Sequence, residues 1–226
     1  MKAIIKRKIL VLLPIKKNQA CETLSFKELE NHFDPLSVDV VVASLSEGPE
    51  AIETKYGVDM ATSCILKEIQ KVSTLYDGII INCILDPALE SCRHVSKSLV
   101  IAPLQSSLAA ARLLGENIGI LSLVKGILPL LSRLVKEYGY IASVRYVDAL
   151  STTDYKAKMI EEAQNMVDSG TDVIILGITG FIGIAKEIES KVKVPVIDPS
   201  VTAFKLLNSL LDMKLMHSKI RYPDCT

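Results

Sequence analysis

The chain has 226 residues, 26 basic side chains against 26 acidic ones, and 49% hydrophobic content. This excludes a mainly disordered chain and suits one large domain or two small lobes. Zero formal net charge, with no basic tract interleaved with aromatics, excludes long-range attraction to phosphate backbones, so no nucleic-acid partner is expected.

From the amino terminus, Lys2, Lys6, Arg7 and Lys8 precede the apolar run 9–13 much as a signal peptide would begin. Lys16 and Lys17 cut the run short and no small-residue cleavage pattern follows, so the run reads as a first buried strand. The runs 38–43, 78–81, 117–121, 143–147, 173–176 and 194–197 repeat it. Near-continuous Ile, Val and Leu is the pattern of a strand covered on both faces. Between them, 50–72 places Ile52, Met60, Cys64, Leu66 and Ile69 at helical period, and Leu89, Cys92, Val95 and Leu99 form a second apolar stripe. Helices are also expected over 126–138, with Gly139 as a left-handed stop, and over 155–168. The alternation predicts an α/β fold with parallel sheets. The most apolar stretch, 173–185, is too short and too interrupted to span a bilayer, so no membrane partner is expected. The end, 222–226, is expected to fray.

Five cysteines, at positions 21, 64, 83, 92 and 225, include no Cys-x-x-Cys pair, and His32, His94 and His217 are scattered. No disulfide framework or metal-ligand spacing is visible, and reduced thiols in a cytoplasmic protein are the expectation. A theme also repeats. Tyr76-Asp77-Gly78-Ile79-Ile80-Ile81-Asn82-Cys83 and Gly170-Thr171-Asp172-Val173-Ile174-Ile175-Leu176-Gly177 each join an acidic turn, a buried strand and a tight approach to a helix. Two similar lobes are therefore predicted, facing one another so that both strand ends meet at a shared cleft. The expected division is 1–103 for the first lobe, 104–204 for the second, and 205–226 for a terminal helix and tail packing back on the first.

Cys83 stands where the strand 78–81 runs out, and Asp86-Pro87 supplies cap and first-turn residues for a following helix. Free amides and the positive helix end there would lower the thiol pKa from about 8.5 and could grip a carboxylate or an enolate oxygen. The alternative is a small buried residue closing a strand. Asp86 is likewise either a plain cap or a group orienting Cys83. Cys21, Cys64 and Cys225 have no comparable setting. At the second strand end, Gly177, Thr179 and Gly180 either let backbone amides approach a ligand or serve close packing. No Walker or dinucleotide signature accompanies them.

The segments Gly48-Pro49-Glu50-Ala51-Ile52-Glu53, Asn82-Cys83-Ile84-Leu85-Asp86-Pro87-Ala88-Leu89-Glu90, Leu176-Gly177-Ile178-Thr179-Gly180-Phe181 and Pro195-Val196-Ile197-Asp198-Pro199-Ser200 resemble, in this order, landmarks of the aspartate/glutamate/hydantoin racemase superfamily, nearest its hydantoin racemase branch. The resemblance implies two flavodoxin-like lobes, no cofactor, and proton transfer next to a carbonyl or carboxylate by one cysteine from each lobe. Cys83 matches the first cysteine; Ile178 stands where the second is expected, so that catalytic position is lost. His94, Glu90 and Lys16 are the residues considered as its replacement. Substrate binding is assigned to Pro14, which survives from the family's first loop, to Gly48 and Pro49 near the cleft entrance, and to Ile84, Ser122, Thr179 and Gly180.

The leading reading is a cofactor-independent racemase/isomerase-type enzyme acting on a small amino-acid- or hydantoin-like substrate, with Cys83 as acid/base and Asp86 as its support. A single-cysteine lyase decarboxylating malonate-type acids is one alternative. A non-catalytic two-lobed ligand-binding or regulatory protein is the other. The expected partners are a small carbonyl or carboxylate substrate and, optionally, further copies of the chain in a homo-oligomer.

Overall fold

A computed structural model describes residues 6–148, 154–181 and 183–225; Lys2 of the basic start and Thr226 of the tail lie outside the described residues. The first half comprises β1 (Arg7–Lys16), α1 (Gln19–Leu29), β2 (Val38–Leu45), α2 (Lys55–Val72), β3 (Gly78–Ile81), α3 (Leu89–Val95), β4 (Leu99–Ile101) and α4 (Pro103–Ala111). The second comprises β5 (Ile118–Ser122), α5 (Leu128–Glu137), β6 (Ala142–Tyr146), α6 (Tyr155–Asp168), β7 (Val173–Leu176), α7 (Ile184–Val192), β8 (Val196–Ile197) and α8 (Pro199–Asp212). Each half forms a four-stranded parallel sheet, ordered β2-β1-β3-β4 and β6-β5-β7-β8. The second sheet thus repeats the first strand for strand, and the repeated sequence theme is its third strand, β3 and β7.

The strands read as unbroken apolar runs because helices cover both faces. On β1, Leu10 and Leu12 pack with Ile65 and Ile69 of α2, while Ile9 and Val11 face Phe204 and Leu207 of α8. The same alternation gives Ile174 and Leu176 to α6 and α7, and Ile175 to α4. Each half also lends a helix to the other. α4 leaves the first sheet yet packs Leu104 and Leu108 with Ile120 and Ile175 of the second; α8 leaves the second and packs on the first. Both begin with a proline, Pro103 and Pro199, where a missing N–H costs nothing. Gly78 permits the close approach of α8, since a Cβ there would lie 2.8 Å from the Leu207 side chain.

Three expectations are corrected. Leu99 belongs to β4, not to the preceding helix: α3 stops at Val95, and the Ser96 hydroxyl accepts from the Ser98 N–H at 3.0 Å to form the turn. A strand of three residues is too short to show a period against a neighbouring helix. The helix expected from residue 50 starts at Lys55, where the Thr54 hydroxyl caps the Gly57 N–H, and this leaves 50–53 as a loop. Finally, the described part of the tail is tied down. The His217 Nε2 accepts the Val100 N–H at 2.8 Å on the edge strand β4, Tyr222 packs edge-on to His94 and His217, and Lys97 pairs with Asp224 at 3.0 Å. The tail covers an edge that would otherwise offer unpaired backbone groups.

Among the described residues no helix is long and apolar enough to cross a membrane, and no group of three His, Cys, Asp or Glu side chains is placed to hold a metal ion.

Candidate active site

The carboxyl ends of the strands of both sheets open on one cavity of about 410 Å³, where open parallel sheets place their ligands. The first lobe contributes Leu13, Pro14 and Ile15 after β1, Cys21, Leu24 and Ser25 on α1, the loop 50–53, and Asn82, Cys83 and Ile84 after β3. The second contributes Val124 and Ile127 beyond β5 and the loop 177–181 after β7. Pro14, Cys83, Ile84, Ile178, Thr179 and Gly180 are thereby brought to one wall or another of the same space.

Gly48 and Pro49 stand behind that wall. The Pro49 carbonyl accepts the Lys16 N–H at 2.8 Å, and a Cβ on Gly48 would touch Leu45 and the Lys16 backbone. They anchor the loop whose next residues line the cavity. Ser122 is fully buried, and its hydroxyl bonds the Val124 carbonyl (3.3 Å) and N–H (3.2 Å). Ser122, expected to meet a ligand, is not among the described lining residues; it fixes the turn that presents Val124.

Asp86 does not open the following helix. Its φ is +43° and that of Ala88 is +59°, both left-handed, and α3 starts at Leu89 without a side-chain cap. Its carboxylate instead accepts the N–H groups of Leu104 (2.9 Å) and Gln105 (2.8 Å) at the start of α4 and the hydroxyl of Tyr138 (3.0 Å) from the second lobe. Because α4 is preceded by Ala102, which has no capping side chain, Asp86 caps it from outside. Burial pushes the Asp86 carboxyl up to about 7, opposed by these hydrogen bonds and by the Arg93 guanidinium.

Cys83 is partly buried and tied to this turn by the Asp86 N–H, which donates to the Cys83 carbonyl at 3.0 Å. The expected lowering of its pKa is corrected. Burial pushes the thiol up to about 12; the Leu85 amide pulls the other way and the Asp86 charge adds to the rise. No helix start lies at the sulfur, because the turn 83–88 intervenes. Cys83 therefore rests as a neutral thiol.

Across the cavity, Gly177 is required by close approach: its N–H donates to the Leu121 carbonyl at 2.7 Å, and a Cβ would sit 3.0 Å from that oxygen. Gly180 supplies φ +87°. Between them Ile178 presents hydrocarbon to the cavity and Thr179 a hydroxyl-bearing side chain. The three residues considered as a second acid do not line the cavity and have other partners: Lys16 pairs with Glu50 at 3.1 Å, Glu90 with Arg221 at 2.7 Å, and His94 with the Pro223 carbonyl at 3.0 Å.

Other groups emerge only in three dimensions. Cys21 lines the cavity from α1 despite its featureless sequence setting. Glu28, one turn beyond Ser25, is 5% exposed and lies beside Ser200 and the Gly180 and Phe181 amides. Burial, with the Asp198 charge adding to it, pushes its carboxyl up to about 8. Asn82, 4% exposed, accepts a hydrogen bond on Oδ1 from the Ser200 hydroxyl at 3.2 Å, whereas its Nδ2 has no partner. The only sequence signal for Asn82 was a polar residue ending a wholly apolar run.

The Asp/Glu/Hydantoin racemase family model matches residues 22–207. The chain is 26% identical over 199 residues to the hydantoin racemase of Pseudomonas sp. (strain NS671), covering 82% of this chain and 80% of that protein. Its structure is similar to that of allantoin racemase from Klebsiella pneumoniae, with a TM-score of 0.86, 22% identity and coverage of 98% and 95% of the two chains. Allantoin racemase from Pseudomonas fluorescens gives a TM-score of 0.87, 20% identity and coverage of 96% and 97%. At these identities the two structures speak for the fold.

Proposed function

Because the chain belongs to the Asp/Glu/hydantoin racemase family, whose chemistry is cofactor-independent and of racemase/isomerase type, we propose that it moves a proton at the carbon next to a carbonyl, with Cys83 as its single acid–base thiol. The observation that supports this most is the position of Cys83 on the wall of the inter-lobe cavity. Of the described residues lining that cavity, the ionisable ones besides Cys83 are Cys21, Glu50 and Glu53, and none is a lysine or arginine. Glu50 already holds its cation in Lys16, and with no lysine or arginine on the wall to meet further carboxylates a dicarboxylate is disfavoured, so a neutral ring carbonyl such as a substituted hydantoin is the favoured substrate class.

A lone thiol works on one face of the carbon. Once its own proton has passed to solvent, the thiolate can remove a proton and return one to the same face, but inversion needs a donor on the opposite side, where Ile178 offers none. In deuterated water, 5-substituted hydantoins are therefore expected to take up solvent deuterium at the reactive carbon faster than they racemise, and Cys83→Ala abolishes the uptake. Screening hydantoins and amino acids without any Cys83-dependent exchange would refute the reading.

The neutral state of Cys83 favours one second reading, decarboxylation. There the departing carbon dioxide leaves its bonding electron pair on the carbon, and the thiol has only to deliver a proton to the enolate. Carbon dioxide release from substituted malonates, lost in Cys83→Ala, would select it. Ligand-induced thermal stabilisation unchanged by Cys83→Ala, with no turnover, would instead mark a binding protein.

A further inference from the structure

We propose that Asn82 is a further catalytic residue, whose side-chain amide donates a hydrogen bond to the substrate carbonyl oxygen beside Cys83. The inference rests on the proton-transfer reading above. The base is the minor fraction of Cys83 that has released its proton to solvent: as the carbon–hydrogen bond breaks, the proton passes to that thiolate sulfur and the electron pair moves into the carbonyl, so negative charge grows on that oxygen. Asn82 transfers nothing; it stabilises the charge.

Four observations converge on this residue. Asn82 lines the cavity immediately before Cys83. Its Oδ1 is occupied by the Ser200 hydroxyl from the first turn of α8, which sets the plane of the amide and leaves Nδ2 as the free end. That Nδ2 is buried without a partner, although buried donors are otherwise almost always paired because leaving one unmade is costly. Finally, three backbone donors around it are spent: the Asn82 N–H donates to the Leu12 carbonyl (2.8 Å), the Cys83 N–H to the Ile81 carbonyl (2.9 Å), and the Gly177 N–H to the Leu121 carbonyl. With no lysine or arginine among the described lining residues, the side-chain amide of Asn82 is an unpaired donor on the residue next to the thiol. A fixed donor in a water-poor wall is well suited to a developing oxyanion.

The fold itself would be served as well by an apolar residue, and this separates a catalytic role from a structural one. Asn82→Val removes the unpaired amide, while Ser200 retains Glu28 as a neighbour. The variant is expected to keep its melting temperature within about 3 °C of the parent or to exceed it. It should also alkylate at Cys83 at the parental rate and lose about 10²- to 10³-fold in deuterium exchange of 5-benzylhydantoin, in kcat rather than KM. Ser200→Ala, which frees the amide to turn, should lose less. A fall in melting temperature beyond that margin makes Asn82 structural and overturns the proposal whether or not a substrate is known. Exchange within threefold of the parent overturns it while leaving the Cys83 reading intact. Should the parent bind 5-benzylhydantoin without exchanging it, the proton-transfer reading falls and the catalytic role of Asn82 falls with it.

Discussion

Cys83 keeps its proton because the wall that brings it to the cavity also removes it from water. The cost of an ionised sulfur there exceeds what the Leu85 amide returns, and the pKa rises to about 12. Alkylation by iodoacetamide should accordingly increase about tenfold per pH unit between pH 7 and 10 without a plateau, as the thiolate fraction does; a plateau near pH 8 would show an activated thiol. On the other lobe, Ile178 presents hydrocarbon to the same cavity, which on the proposed proton-transfer reading limits stereochemistry. Ile178→Cys should restore a donor to the second face and raise racemisation relative to one-face exchange by about 10²-fold or more, measured by polarimetry alongside deuterium uptake. Asn82 and Ile178 were both printed in the sequence beside recognisable motifs. Only the packing shows that one has an unpaired amide and the other faces the same cavity as Cys83.

At the scale of elements, Asp86 joins three of them: the turn after β3, the start of α4, and Tyr138 at the end of α5. Removing the carboxylate leaves two α4 amides and a phenol without their acceptor. Asp86→Ala should therefore cost about 2–4 kcal/mol in urea unfolding, and Asp86→Asn, which retains one carbonyl oxygen, less. If instead Asp86 served mainly to activate Cys83, Asp86→Ala would leave stability unchanged and shift the alkylation profile. The sequence suggested a cap at Asp86 but pointed to the wrong helix. A capping residue is recognised by its local spacing, whereas here the capped amides lie 18 and 19 residues further along the chain. The short β4 was hidden for the opposite reason, since three residues carry too little pattern to be separated from a neighbouring helix.

At the scale of the whole molecule, the exchange of α4 and α8 between the sheets ties the two lobes together around the cavity. Phe204, fully buried against Ile9 and Ile80, is the main anchor of α8, and Phe204→Ala should cost about 3–5 kcal/mol, read as a lower urea midpoint. Stability should also depend on pH through buried carboxyls at the lobe junction. Glu28 rises from 4.5 to about 8 and Asp86 from 3.8 to about 7. The folded state thus holds protons that the unfolded chain has released, and the stability these groups contribute is complete below about pH 4 and lost as pH rises through 7 to 8. His217 has the opposite sign: lowered from 6.5 to about 4 by burial, its contribution is lost as pH falls through that interval. Urea midpoints measured from pH 4 to 9 should fall on the alkaline side, and Glu28→Gln should flatten that fall. An alkaline limb unchanged in Glu28→Gln would exclude Glu28 as its source.

Local order in the chain was enough to determine the α/β class, the doubled strand theme and the thiol at the end of β3, because strand burial and repeat spacing are written in adjacent residues. It also showed that a hydrocarbon stands at position 178. Tertiary structure alone decided which groups surround the cavity. The Asp86 cap, the fixed Asn82 amide, the buried Glu28 and the turned-in Ser122 all depend on partners far away in the chain or on how a turn packs, and the acidity of Cys83 depends on how much water those neighbours exclude.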